Sequence, residues 1–170
     1  MIFVSHNQIR QWWVEGMLAG LVSTVVLMWR GRAEARTAAG PLNAPSHWLW
    51  GREALRKDHV DWRHTAAGFA IHQASTLFWA AAYRFLRIRH GDRPAGVLSD
   101  ALVVTAAAAL VELKLVPERL TPGFERRLTR PGLALVYLSF SAGLAVAGRM
   151  RVGRGPGACT NSSRELWRHR

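Results

Sequence analysis

Charge in this 170-residue chain is segregated into blocks. Stretches nearly free of it, at 16–29, 65–83, 101–111 and 132–148, alternate with segments crowded with arginine. The averages hide this, because a mean hydropathy of +0.00 and 20% charged residues are the values of an ordinary soluble protein. Water-soluble helices and strands mix charge along their length to keep one face wet. Blocks of this kind suit a chain that repeatedly enters a bilayer, where a helix needs about 20 mainly apolar residues. Each block reaches that length by recruiting its flanks, which predicts spans over about 12–29, 65–86, 97–116 and 131–148. The alternative is a soluble Ala-rich bundle, for which the third block, with Ala106 through Ala109, offers the most support.

Aromatic placement argues for the bilayer. Trp12 and Trp13 stand at one end of the first block and Trp29 at the other. A separation of 17 helical residues is about 26 Å, close to the hydrocarbon thickness. Trp favours both interfaces, and Trp79 with Tyr83 repeats the signal before Arg84, Arg87 and Arg89. Pro94 precedes the third block, Pro117 stops it, and Thr129 with Pro131 opens the fourth as cap and first-turn proline. No useful length alternates with period two. The sequence therefore predicts an all-α, four-transmembrane-helix bundle in one membrane domain over 1–150, followed by a basic tail over 151–170. Small residues at four-residue spacing, namely Gly16 and Gly20 with Thr24, Ala70 with Ala74, and Ser139, Gly143 and Ala147, are expected to pack helix on helix.

An even number of spans places both termini on one side. Lys and Arg divide evenly between the two sides, and the compact 84–93 turn with the arginines closing the fourth span assigns the termini to the cytoplasm of a multi-pass inner-membrane protein. The Ala33-Glu34-Ala35 run resembles a cleavage site, but Arg30 and Arg32 before it favour an uncleaved first span. Cys159 is the only cysteine, so no intrachain disulfide or thiolate metal site is expected. All but Lys57 and Lys114 of the 23 basic residues are arginine, a bias expected of a GC-rich bacterial genome.

Ionisable groups inside spans are costly and face partners or cavities. Alternating helix direction predicts two polar layers, one at each interface. Glu15 and Asp100 belong to the near layer, beside Arg84 and Arg87, and read as interfacial first-turn acids, with a specific Asp100 to Arg84 pair as the alternative. His72, Glu112 and Lys114 form the far one. There His72 and Glu112 could share a proton, or His72 with Gln73 could make a packing hydrogen bond while Glu112 and Lys114 sit among headgroups. Neither a midplane acid nor an interrupted span is evident, which weighs against transport.

Loop one, 30–64, predicts an amphipathic helix from Pro45-Ser46 through Lys57 lying flat in the interface, with Ser46 as cap. Its His47, His59, Asp61 and His64 match no metal-ligand spacing, so neither metal nor cofactor is expected. In loop three, Thr121-Pro122-Gly123-Phe124-Glu125 predicts a short helix with Phe124 and Leu128 on one face, also lying flat. The run from Glu112 through Val116-Pro117-Glu118-Arg119-Leu120-Thr121-Pro122-Gly123-Phe124-Glu125, then Tyr137 and Gly143-Leu144, with His72 in a Gly-x-x-x-His context, resembles small uncharacterised bacterial four-span integral membrane proteins. That resemblance implies a fold and a location and carries no activity.

The net charge of +12 could point to nucleic acid, but the arginines cluster at span ends and no nucleic-acid motif accompanies them. Anionic lipid headgroups are the expected partner, at about 1 kcal/mol per basic residue near the surface. The functional expectation is a structural or accessory membrane protein without catalysis of its own, in a homo-oligomer or larger complex. The alternative is a small proton- or cation-coupled transporter using His72 and Glu112.

Overall fold

The computed structural model describes residues 6–152; the tail beyond, with Cys159, lies outside the described residues. Its regular elements are all helical: α1 (His6–Glu34), α2 (Ala39–Asn43), α3 (His47–Trp50), α4 (Trp62–Arg89), α5 (Val97–Leu110) and α6 (Arg130–Val152). Short three-ten turns link them, and α5 runs on into a π-helical turn at Val111–Leu115. The apolar blocks of the sequence are the centres of α1, α4, α5 and α6.

Local chemistry sets the ends. The Asp61 carboxylate accepts from the Arg63 backbone N–H at 3.0 Å and starts α4. Thr129 Oγ1 accepts from the Gly132 N–H at 3.3 Å and starts α6, with Pro131 in the first turn. Pro94 opens the turn before α5, and Pro117 follows the end of the π turn. α6 continues to Val152, slightly past the predicted domain boundary.

The long helices form a ring in which α1 packs on α4 and α6, and α5 closes it between them. Small residues decide these contacts. Gly16 and Gly20 are buried against Leu77, Ala80, Gln73 and Thr76 of α4. Gly143 lies so close to α1 that a Cβ there would stand 2.5 Å from the Ala19 Cα. Ala147 is also buried, whereas Ser139 is half-buried and bonds the Val136 carbonyl of its own helix. Ala70 and Ala74 are exposed, not buried in a helix contact as the sequence reading expects.

By length and composition three segments can cross a bilayer: His6–Glu34, Pro94–Leu115 and Arg130–Met150. α4 has the length, at 28 residues, but carries His72, Gln73, Ser75 and Thr76 at its centre and falls short in apolarity. The outward faces of all four long helices are nevertheless apolar: Val25 on α1, Phe78 and Phe85 on α4, Val103 and Leu110 on α5, and Leu138 on α6 are each more than half exposed.

Loops one and three depart most from the sequence reading. The predicted flat helix through Lys57 is broken at Gly51, whose φ of +64° favours glycine. Ser46 makes no capping bond and is buried, as is the whole run from Ala39 to His47. This run plugs one end of the bundle: Pro41 lies against Gly31, and the Leu42 carbonyl against Gly68. Loop three packs onto the plug through its Thr121 carbonyl, which accepts from Trp48 Nε1 at 2.8 Å. An Arg127 to Asp58 pair at 2.7 Å adds to the contact. Phe124 and Leu128 do share a face, but that face is buried in the core with Leu27, Leu42 and Ala44. The segments were expected to lie flat because each has an apolar side; they fold inward because the two loops bury those sides on each other and on the helix ends.

Candidate functional site

Two polar constellations lie between the long helices. In the first, Arg84 of α4 donates through Nε to Glu15 Oε2 of α1 at 3.0 Å, and its Nη2 also contacts that carboxylate. Arg84 Nη1 reaches Asp92 at 3.1 Å. One turn on, Arg87 donates to Asp100 of α5 at 3.0 Å and to the Arg93 carbonyl at 2.6 Å, while His90 Nδ1 lies 2.9 Å from the same Asp100. Glu15, Arg84, Arg87 and Asp100 are all buried. Both acids are thus buried in ion pairs and not interfacial, and the alternative Asp100 to Arg84 pair is exchanged. Arg84 takes the acid of α1, and Arg87, on the side of α4 facing α5, takes Asp100. These bonds tie α1, α4 and α5 together at one level.

The second constellation surrounds a cavity of about 420 Å³ lined by α4, α5 and α6. Pro45 and Trp48 of loop one and Pro122 and Phe124 of loop three roof it. Glu112, on the π turn that ends α5, projects into it. Glu112 Oε1 accepts from Ser75 Oγ and Trp79 Nε1 of α4, both at 2.7 Å, and Oε2 accepts from the Tyr137 hydroxyl of α6 at 2.8 Å. His72 lines the same cavity, 3.0 Å from Ser23 Oγ of α1 and edge-on to Phe124. It is joined to Ser23 and not directly to Glu112. Lys114 points away and is exposed.

This geometry revises the expected depths. Ser75, which holds Glu112, is 13 residues from the start of α4 and 14 from its end. The carboxylate therefore lies level with mid-α4 and not among groups beyond the helix ends. The levels of Glu15 and of Ser23 with His72 are eight residues apart on α1, about 12 Å, under half the hydrocarbon thickness. That separation is smaller than one layer at each interface would require. The expected depths treated every helix as equally long, whereas α5 ends at Leu110 and its last turn widens to π, a feature frequent at functional sites.

Trp79 and Tyr83 were read as interfacial anchors. Trp79 serves Glu112, and Tyr83 is fully buried with its hydroxyl on the Val97 carbonyl at 3.4 Å. Ser75 and Tyr137 gave no signal as a pair, since only the fold brings them to one acid. Their 2.7 and 2.8 Å bonds to Glu112 span three helices.

The loop histidines are held separately. His47 Nδ1 lies 2.8 Å from the Ala44 carbonyl, and His64 Nδ1 pairs with Asp61 at 2.5 Å. Among the described residues no three His, Cys, Asp or Glu side chains gather in a metal-binding group. Outside the helices Glu118 bridges Arg126 at 2.6 Å and Arg52 at 3.4 Å. The Arg126 hydrogen bond, with the charges of Arg126 and Arg52, holds its carboxyl below the usual range.

Fold and site together define an all-helical protein with three helices long and apolar enough to cross a bilayer, in which paired charges are buried between the long helices while large apolar side chains stand exposed on their outer faces. Compared with family models, curated proteins and solved structures, the chain matches none of them.

Proposed function

We propose that the chain is a four-span integral membrane protein of a bacterial inner membrane, with both termini cytoplasmic, acting as a structural or accessory component without catalysis of its own. The observation that carries the placement is inversion. Phe78 and Phe85 of α4 are 66% and 58% exposed, while Arg84 and Arg87 of the same helix are 5% and 1% exposed. In water this arrangement wastes apolar burial and desolvates charge. In hydrocarbon it is the favourable one, because exposed apolar groups cost nothing there and charges must find partners inside. This is why α4 counts as a span despite its polar centre. The resemblance carried by Glu112 through Glu125 supports the same location.

The accessory role is supported by the way Glu15, Arg84, Arg87 and Asp100 neutralise one another, which spends the near layer on holding helices together. Anionic headgroups are the partners proposed for the cationic loops, and a second copy or a larger complex for the outward faces. Pull-down of a tagged chain from native membranes tests this: a stoichiometric partner or second copy is expected, and a solitary monomer overturns the accessory role.

A second reading, proton- or cation-coupled transport, is favoured by one observation: His72 and Glu112 line one cavity. Flux assays on His72→Ala and Glu112→Gln discriminate. A selective defect at unchanged protein level supports transport, and no defect supports the accessory role.

A further inference from the structure

The cavity at Glu112 is unlike the rest of the molecule electrostatically. The chain carries a net charge of +12, yet among the described residues no lysine or arginine lines this cavity. Its ionisable groups are His72 and Glu112, beside the hydroxyl of Tyr137. The contrast with the buried acids is direct: Glu15 is paired with Arg84 and Asp100 with Arg87, whereas the half-buried Glu112 among the described residues is held by neutral hydroxyl and indole donors. Those donors fix the carboxylate and lower the cost of its charge without cancelling it. A carboxylate in an apolar surround leaves a strong preference for a cation to complete it.

The walls describe the rest of such a cation. Trp48, Phe78, Trp79, Phe124, Tyr137 and Phe140 present aromatic groups around the cavity. Aromatic faces attract weakly hydrated cations, and they do so most when water is excluded. A small inorganic ion would need several oxygen ligands at short range, and the carboxylate here has only hydroxyl and indole neighbours already committed to it. An anionic lipid head is disfavoured for want of any lysine or arginine in the lining. The volume, about 420 Å³, falls in the range of small-molecule pockets, about 300–1,000 Å³. Phe78 of α4 and Leu120 of loop three both line the cavity and are exposed, so it opens at the apolar outer surface that the proposed placement sets in the bilayer.

We propose that this cavity is a binding site for a lipophilic organic monocation, with Glu112 as counter-ion and Trp79 and Tyr137 both fixing that carboxylate and forming the aromatic wall. The inference rests on the bilayer placement proposed above, and not on transport.

The probe is tetraphenylphosphonium, with the uncharged triphenylphosphine oxide as comparator, in equilibrium dialysis on the purified full-length protein in detergent. The wild type is expected to bind one phosphonium per chain saturably and to bind the neutral comparator at least tenfold more weakly. Glu112→Gln, which keeps the side-chain shape, is expected to weaken phosphonium binding at least tenfold while leaving binding of the comparator within twofold. Trp79→Phe, which keeps an aromatic wall but removes one donor to the carboxylate, is expected to fall between them. Retained comparator binding shows that Glu112→Gln keeps a folded cavity; if it is lost, Tyr137→Phe, which like Trp79→Phe removes one donor to the carboxylate, is assayed in its place, with the same intermediate weakening of phosphonium binding expected and unchanged phosphonium binding overturning the inference. Absence of saturable phosphonium binding, equal binding of charged and neutral probes, or a Glu112→Gln affinity for phosphonium within twofold of wild type overturns the inference. None of these results bears on whether α4 crosses the bilayer, which cysteine labelling decides separately.

Discussion

Arg84 sits on the carboxylate of Glu15 across 69 positions of sequence, with both side chains withdrawn from the surface. Removing one member leaves the other as an uncompensated charge in a low-dielectric interior, at a cost of about 3–5 kcal/mol. Arg84→Ala is therefore expected to lower the thermal midpoint of the detergent-solubilised protein strongly. Combined Glu15→Gln and Arg84→Met should recover much of the loss. Thermal melts of the single and double variants check this, and equal melting of wild type and Arg84→Ala would contradict it.

Helix packing makes a second prediction. Because a Cβ at 143 would meet the Ala19 backbone at 2.5 Å, Gly143→Val must push α6 away from α1. Overpacking of this kind costs about 1–3 kcal/mol. Gly91→Ala is the control, since nothing lies within 4 Å of the corresponding position there and only its φ of +69° is strained. Melting temperatures should fall clearly further for the first than for the second.

The link between loops one and three depends on acid. Glu118 is held below the usual carboxylate range by Arg126 and Arg52, so its bridging stabilises the folded loops above the unfolded pKa and is lost as pH falls through the lower folded value. The site is exposed, so the effect is local. Hydrogen exchange over 118–127, corrected for intrinsic rates, should quicken on acidification below the carboxylate range, and Glu118→Gln should show the quicker exchange already at neutral pH.

His72 offers a fourth. Its bond to Ser23 is one neutral pair in a buried setting, worth about 0.5–1.5 kcal/mol. Ser23→Ala and His72→Ala should each destabilise, and the double variant should cost less than their sum, as a double-mutant cycle on melting would read.

Much of the architecture was legible because it follows from local rules. Charge blocks located the four long helices, Thr129 with Pro131 and the flanking Pro94 and Pro117 located their ends, and Gly16, Gly20 and Gly143 marked close approaches. Single residues at the candidate sites were visible too: Glu15, Asp100, His72 and Glu112 stood out as ionisable groups in apolar surroundings. Their partners were not legible. Whether Arg84 or Arg87 takes Asp100 turns on which side of α4 each occupies, a rotation that hydropathy does not fix. Ser75, Trp79 and Tyr137 are ordinary residues one at a time, and only the packing of α4, α6 and the π turn after α5 brings them to one carboxylate. The buried plug from Ala39 to His47 was hidden for a similar reason, since a short apolar face reads the same whether it meets a membrane surface or another loop.

The most direct measurement concerns α4, the one long helix whose composition alone does not qualify it as a span. In a Cys159→Ser background, Arg52→Cys places a thiol in loop one and Arg93→Cys places one in the turn after α4. A membrane-impermeant maleimide applied to intact cells should label position 52 and reach position 93 only after the membrane is opened. Labelling of both positions from the same side would mean that α4 does not cross the bilayer.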